Sequence, residues 1–268
     1  MKTVNSISKQ QLSILTLIYR FRFVSSKQVQ QHLGQKHIRQ ALRSLNLLVE
    51  RKYIGRNYSA SDSLTGQYAS YYLLVEGLRV LKRLQPAVEP TVIHNIYNDK
   101  TASQRFRRHC LAVGEVTRHL IRMYADNIEV FSLSELVSYS YFPQTKFDGY
   151  ATLQVKARGS RQKQCFLVVC DDSEPLFVFQ RTIRRLVDYI DNRTWHKATN
   201  DPSPTILLVC DNPNMKRYML ETARKAVDAA YLKDVWFLAT TKQQLSEATA
   251  NDAIWESQTL EANMTRLR

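Results

Sequence analysis

Cysteine is scarce: Cys110, Cys165, Cys170 and Cys210 are the only four in 268 residues. None forms a C-x-x-C pair and no histidine stands at finger spacing, so neither a zinc site nor a disulfide framework is expected. Three of them lie inside apolar runs, where a thiol behaves as a small buried hydrophobe in a reducing cytoplasm. Long apolar runs are missing too. No window approaches the roughly twenty residues a membrane span requires, and no charged start followed by an apolar stretch marks an export signal. A soluble, cytoplasmic chain without a membrane partner is expected. Glycine is sparse, seven in all, and no P-loop, G-x-G-x-x-G, G-x-S-x-G or H-E-x-x-H occurs, so nucleotide-driven, serine-hydrolase and zincin chemistry have no support. None of the six histidines pairs with a nucleophile; His109 reads as a partly buried structural residue.

Acid is what the opening third lacks most. The first ninety residues hold fourteen Lys or Arg against Glu50, Asp62, Glu76 and Glu89, a net +10 of the chain's +14. A field of that sign attracts a phosphate backbone in a salt-dependent, sequence-blind manner. The order of elements in this segment is that of a winged helix-turn-helix. Ser8 caps a helix carrying Leu12, Leu15, Ile18 and Tyr19. Ser25 and Ser26 cap a short second helix that ends at Gly34, the residue best able to take a left-handed backbone. A third helix is expected from about Lys36 to Leu45, with Ile38, Leu42 and Leu45 on one side and Lys36, Arg39, Gln40 and Arg43 on the other. Residues 53–58 and 68–74 then read as strands joined by a polar loop over 59–66, a hairpin wing, and 76–84 as a closing helix.

Placed in a major groove, Arg39 and Arg43 have the fork geometry to read guanine and Gln40 can pair with adenine, while Lys36 suits a phosphate. The wing offers Arg51, Lys52, Arg56 and Asn57 for backbone or minor-groove contact. Of its tyrosines, Tyr58, Tyr68, Tyr71 and Tyr72, alternation packs half inward. The same polar face on a protein-contact module is merely solvated; the agreement of charge, helix order and hairpin favours double-stranded DNA as partner.

Pro86 and Pro90 mark a boundary, giving a winged module over 1–88 and a linker over 89–104. A long helix over about 101–125 leads into apolar strands (130–133, 149–156, 165–170, 205–210, 235–239) that alternate with helices (176–190, 213–230). The pattern implies a mixed sheet covered on both faces, an α/β domain over 105–245 in a chain that is α+β overall. The polar tail, 246–268, is expected to be a loosely docked helix or disordered.

Asp148 stands before one strand and Asp171 and Asp172 close the next, which a helix follows. Restriction-endonuclease-like folds gather carboxylates around Mg²⁺ in this layout. The strand acid and the lysine that normally complete such a site are missing, since Val169 and Cys170 precede Asp171 and Ser173 follows. Lys156 or Lys163 would have to migrate to substitute, and Glu135 is a third carboxylate from an earlier element. The alternative for Asp148 and Asp171 is turn and cap chemistry. Arg181, Arg184 and Arg185 on the next helix suit either phosphate binding or ion pairs with Asp171, Asp172 and Asp188.

Several short motifs resemble the replication-relaxation family of plasmids and integrative elements. They are Tyr71-Tyr72-Leu73 with Gly77, Arg108-His109-Cys110-Leu111-Ala112-Val113, Phe147-Asp148-Gly149, the strand from Phe166 to Asp171, and Arg184-Arg185-Leu186-Val187-Asp188-Tyr189. The resemblance covers about residues 8–240 and departs at Phe147, where proline is usual, and at Val169, where an acid is usual. It implies a winged helix followed by a degenerate nuclease-like domain without a required cofactor. The expected function is an accessory DNA-binding protein of a mobile element, acting at a transfer or replication origin in plasmid mobilisation or conjugation. The second domain would supply further DNA contacts, homodimerisation or a surface for a relaxase or recombinase. A Mg²⁺-dependent endonuclease using Asp148 and Asp171 is one alternative. A winged-helix transcription repressor is another.

Overall fold

The computed structural model describes residues 7–58, 66–85, 88, 97–155, 161–259 and 264–267. The wing loop 59–65, Pro86, Pro90 and Lys156 lie outside them. The chain divides into two compact units, Met1–Gly114 and Glu115–Arg268.

In the first unit, α1 (Lys9–Phe21) starts where Ser8 and Gln11 form a reciprocal capping box, each side chain satisfying the other's backbone N–H at 3.2 Å. Ile14, Leu15 and Ile18 are fully buried. After β1 (Phe23–Ser25), a second capping box, Ser25 with Gln28, opens α2 (Ser26–His32). Gly34, φ +62°, turns the chain. Helix α3 (Ile38–Glu50) differs from expectation at both ends. His37 is extended, so Lys36 precedes the helix instead of opening it. The helix also continues beyond Leu45, because Leu48 is fully buried one turn on while Asn46 and Leu47 face solvent.

Strands β2 (Ile54–Asn57) and β3 (Ser70–Leu73) complete a three-stranded antiparallel sheet of order β1-β3-β2, and α4 (Val75–Leu84) follows. This is the element order expected of a winged helix-turn-helix. Two of the four wing tyrosines are buried, but not by alternation. β3 is the central strand and is buried along its whole length, so the adjacent Tyr71 and Tyr72 are both covered, whereas Tyr58 and Tyr68 are exposed.

Two glycines permit this packing. A Cβ on Gly55 would meet the Tyr72 ring at 2.2 Å, and one on Gly77 would stand 2.1 Å from the Tyr53 carbonyl oxygen. The ring can rotate away; the carbonyl belongs to the backbone and cannot. Gly77→Ala is therefore expected to cost about 1–3 kcal/mol through forced displacement of α4, read as a fall in the urea midpoint. An unchanged midpoint would show that α4 does not need this close approach.

The start of α5 (Gln104–Tyr124) also belongs to the first unit, whose division from the second falls at Gly114, later than the expected linker. Phe106 and Cys110 pack with Phe23 and Tyr72, and Gln28 Nε2 donates to the Leu111 carbonyl at 2.7 Å. His109 is buried.

The second unit is a seven-stranded mixed α/β sheet of spatial order β10 (Met264–Thr265), β9 (Trp255–Ser257), β8 (Phe237–Thr241), β7 (Thr205–Cys210), β6 (Arg161–Cys170), β5 (Gly149–Val155) and β4 (Ile128–Ser132). Strands β4 (Ile128–Ser132), β5 (Gly149–Val155) and β6 (Arg161–Cys170) pair antiparallel, and β6, β7 (Thr205–Cys210) and β8 (Phe237–Thr241) pair parallel. β7 and β8 are buried throughout, as central parallel strands must be when both faces are covered. One face packs Phe166, Val168, Ile206 and Leu208 against α7 (Leu176–Asp191) and α9 (Pro213–Ala229), with Trp195 of α8 (Thr194–Thr199). A four-residue α6 (Leu133–Leu136) follows β4.

The described residues past Ser246 form neither a docked helix nor a loose tail. After α10 (Lys242–Glu247), β9 (Trp255–Ser257) adds antiparallel to β8, and β10 (Met264–Thr265) pairs with β9. The anchor is Trp255, fully buried, whose indole N–H donates to the Tyr124 hydroxyl at 3.0 Å. One large aromatic outweighs the polar composition around it, because it removes the largest apolar area per residue from water.

Candidate nucleic-acid interface

Helices α2 and α3, the turn between them and the start of the returning wing strand enclose an open groove of about 700 Å³ in the first unit. Its lining brings together Lys36, Arg39, Gln40 and Arg43 and adds Lys27, Gln30, His37, Ile38 and Tyr68. Four of these nine side chains are permanent cations and none is acidic. Arg39, Gln40 and Arg43 are exposed, since Ala41, Leu45 and Leu48 turn the opposite side of α3 into the core. Gln30 holds the turn: its Nε2 donates to the carbonyls of Gln35 at 3.0 Å and Lys36 at 3.1 Å.

Lys27 and Gln30 had a sequence signal that was not used, their position off the Val29–Leu33 face of α2. Tyr68 had none, because only the returning chain brings it there.

The wing residues are differently disposed. None of the four lines the groove. Lys52 and Arg56 are exposed, and the Arg56 guanidinium sits over the Tyr58 ring at 5.1 Å. Arg51 and Asn57 are half-buried, with Arg51 Nη1 and Asn57 Nδ2 enclosed and without a hydrogen-bond partner among the described residues. That is a poor starting position for reaching a backbone. Burial raises the Tyr71 hydroxyl above its ordinary pKa, opposed by the charge of Arg56.

In the second unit, Asp148 and Asp171 come to the same end of the sheet, where β5 begins and β6 ends. Their carboxylates already have backbone work. Asp148 Oδ2 accepts from the Val169 N–H at 2.7 Å. Asp171 Oδ1 accepts from the Ser173 N–H at 3.0 Å and from its hydroxyl. The nearby Cys170 thiol is held well above its ordinary pKa by its hydrogen bond with Cys210, by burial and by the charges of Cys210, Asp148 and Asp171. All four cysteines are buried, and burial pushes Cys165 up to about 12. Glu135 is the partner of Ser132 in the capping box of α6, with two hydrogen bonds of 2.8 Å.

Sequence reasoning missed Asp211 at the end of β7, which accepts from the Asp172 N–H at 2.8 Å and pairs with Lys242 at 2.5 Å. Among the described residues no three His, Cys, Asp or Glu converge as a metal-binding group.

The model of the replication-relaxation family matches residues 15–202, most of the chain. The chain belongs to this family. Replication-relaxation motifs now acquire physical reasons: the Tyr-Tyr pair fills a central strand, Gly77 admits the Tyr53 carbonyl, and Asp148 satisfies the N–H of the strand beside it. Gly149 belongs to the same set, since a Cβ there would stand 2.9 Å from the Phe131 carbonyl oxygen. No curated protein matches this replication-relaxation chain. Among solved structures it is similar to the structure of restriction endonuclease FokI at 13% identity and a TM-score of 0.30, over 92% of this chain and 45% of that one. The chain thus spans less than half of that enzyme, and a score so low supports no argument.

Proposed function

We propose that this replication-relaxation protein binds double-stranded DNA through the α2–α3 groove, as an accessory factor of a mobile element at a transfer or replication origin. The observation that carries the reading is the acid-free lining in which Lys27, Lys36, Arg39 and Arg43 meet. Four like charges gathered along one open groove repel one another, a polyanion relieves that repulsion, and the concentrated field draws one in. Lys27 and Lys36 position the duplex through phosphates, and the exposed forks of Arg39 and Arg43 read bases. Asp148 and Asp171 serve the fold in this account, through the N–H groups they accept from.

The test is the salt dependence of binding to a duplex from the protein's own replicon. If Lys27 and Lys36 each neutralise a phosphate, the groove alone makes log K fall with log salt at a slope of about −2. Affinity indifferent to salt would remove the proposal. The endonuclease alternative is examined in parallel with supercoiled plasmid and Mg²⁺ or Mn²⁺. Plasmid is expected to remain intact, and nicking that disappears in Asp148→Ala would overturn this reading in favour of cleavage.

A further inference from the structure

Helix α7 has a solvent face that the core does not use. Phe179, Thr182, Ile183, Leu186, Val187 and Ile190 point inward. At about 100° per residue the opposite arc carries Phe177, Arg181, Arg184 and Arg185. The three arginines are exposed and make no ion pair with a described residue. Asp171 is bonded to Ser173, and among the described residues no ion pair joins the three arginines to Asp172 or Asp188. Asp188 and Asp191 share the C-terminal half of this side, and Arg184 lines a groove with both and with Glu221 and Lys225 of α9, which leaves Arg181 and Arg185 as the cations away from acid. The N-terminal end carries apolar surface instead: Phe177 is 58% exposed and Leu176 43%.

Exposed guanidinium groups preceded along a helix by a bare aromatic ring fit one kind of ligand better than others. Phosphates satisfy the arginines, whether from a duplex or a single strand. The ring decides between them. Bases of a duplex are covered by their own neighbours and offer Phe177 nothing to stack on, whereas an unpaired strand exposes base faces that any aromatic side chain can cover. From Phe177 to Arg185 the face runs about 12 Å along the axis, long enough to meet more than one nucleotide. We propose that this face of α7 is a second, sequence-blind site whose ligand is single-stranded DNA. The inference uses residues of the second unit alone and goes beyond duplex binding by the winged unit.

The experiment uses the full chain and a labelled oligothymidine of about twenty nucleotides, which is longer than one site of this type, titrated by anisotropy at several salt concentrations. Replacing Arg181, Arg184 and Arg185 together with alanine is expected to reduce the salt slope by about 2, at about 0.7 per phosphate on a single strand. Phe177→Ala is expected to weaken binding about tenfold, as loss of one stacked base does, with the slope unchanged. All four positions are exposed, so thermal unfolding should match the parent.

Arg39→Ala/Arg43→Ala separates this site from the groove. It is expected to leave oligothymidine binding intact, and loss of duplex affinity alone in that variant supports two independent sites. Failure of duplex binding with oligothymidine binding retained would remove the proposed function and keep this inference. Oligothymidine affinity unaffected by the triple and Phe177 variants would overturn it. So would a triple variant that weakens duplex and oligothymidine equally, with Phe177→Ala silent, because the surface would then be a plain phosphate contact.

Discussion

Arg39→Ala/Arg43→Ala is expected to remove much of the discrimination between the best duplex site and a scrambled one. Each arginine that meets a guanine edge is worth about 1–3 kcal/mol, so the pair accounts for much of the gap between specific and non-specific affinity, typically about 4–10 kcal/mol. The physical basis is placement. Both side chains are exposed on the side of α3 opposite Ala41, Leu45 and Leu48, and both line the groove. Neither is held in an ion pair by a described residue, so their removal leaves no orphaned acid and should not change the unfolding midpoint. Lys27 and Lys36 line the same groove, and their loss is expected to lower affinity for all duplexes alike while flattening the salt slope by about 1 each. Gel-shift titration at fixed salt, with matched and scrambled duplexes, distinguishes these two patterns. Parent-like binding of the matched site by the double variant would dismiss base reading by α3.

What the sequence made legible follows from period. Arg39, Gln40 and Arg43 are separated from the core positions of α3 by helical spacing alone, so their shared polar face could be read directly. The unbroken apolar runs of β6 and β7 likewise announce strands covered on both sides. The groove's other members could not be read this way. Lys27 and Tyr68 lie forty-one positions apart in sequence and meet only because the wing returns beside α2. Spacing within one element carries no information about such a meeting.

The misreadings have physical causes as well. The third helix runs past its expected end at Leu45 because burial of Leu48 outweighs the poor helix propensity of Asn46, a penalty of only tenths of a kcal/mol. The last strands were hidden because their pairing is antiparallel and short and their anchor is one tryptophan in polar surroundings. Asp148 and Asp171 were correctly located at strand ends. Their roles depend on which N–H groups lie opposite, Val169 for one and Ser173 for the other, and no count of residues supplies that.

A buried ion pair in the first unit leads to the second large effect. Arg22 ends α1 at φ +65°, a left-handed conformation that costs a non-glycine residue about 1 kcal/mol or more. Its side chain compensates. Nε and Nη2 donate to Asp99 Oδ1 at 3.0 and 2.5 Å, and the guanidinium lies 4.5 Å from the centroid of Phe106. Asp99 is 2% exposed. Truncating one partner of such a pair leaves the other charged and enclosed, so Arg22→Ala is expected to cost about 3 kcal/mol near neutral pH.

The deficit should depend on pH, and its direction is fixed. Burial raises the Asp99 carboxyl above its ordinary value, while the hydrogen bond and charge of Arg22 pull it down. Without Arg22 only the raising influence remains. A carboxyl raised in the folded state binds its proton more tightly there than in the unfolded chain, so stability falls as pH rises through the folded value and returns as pH drops towards the unfolded value near 4. The Arg22→Ala deficit is therefore expected to be largest at pH 7–8 and to shrink on acidification. Urea denaturation at pH 7.5 and pH 5 measures it. Adding Asp99→Asn to Arg22→Ala removes the enclosed charge, and the double variant should recover part of the loss at pH 7.5 and show the same deficit at both pH values. A single-variant deficit that does not change between the two pH values would mean that Arg22 acts by packing on Phe106 and by its backbone conformation, not by neutralising Asp99.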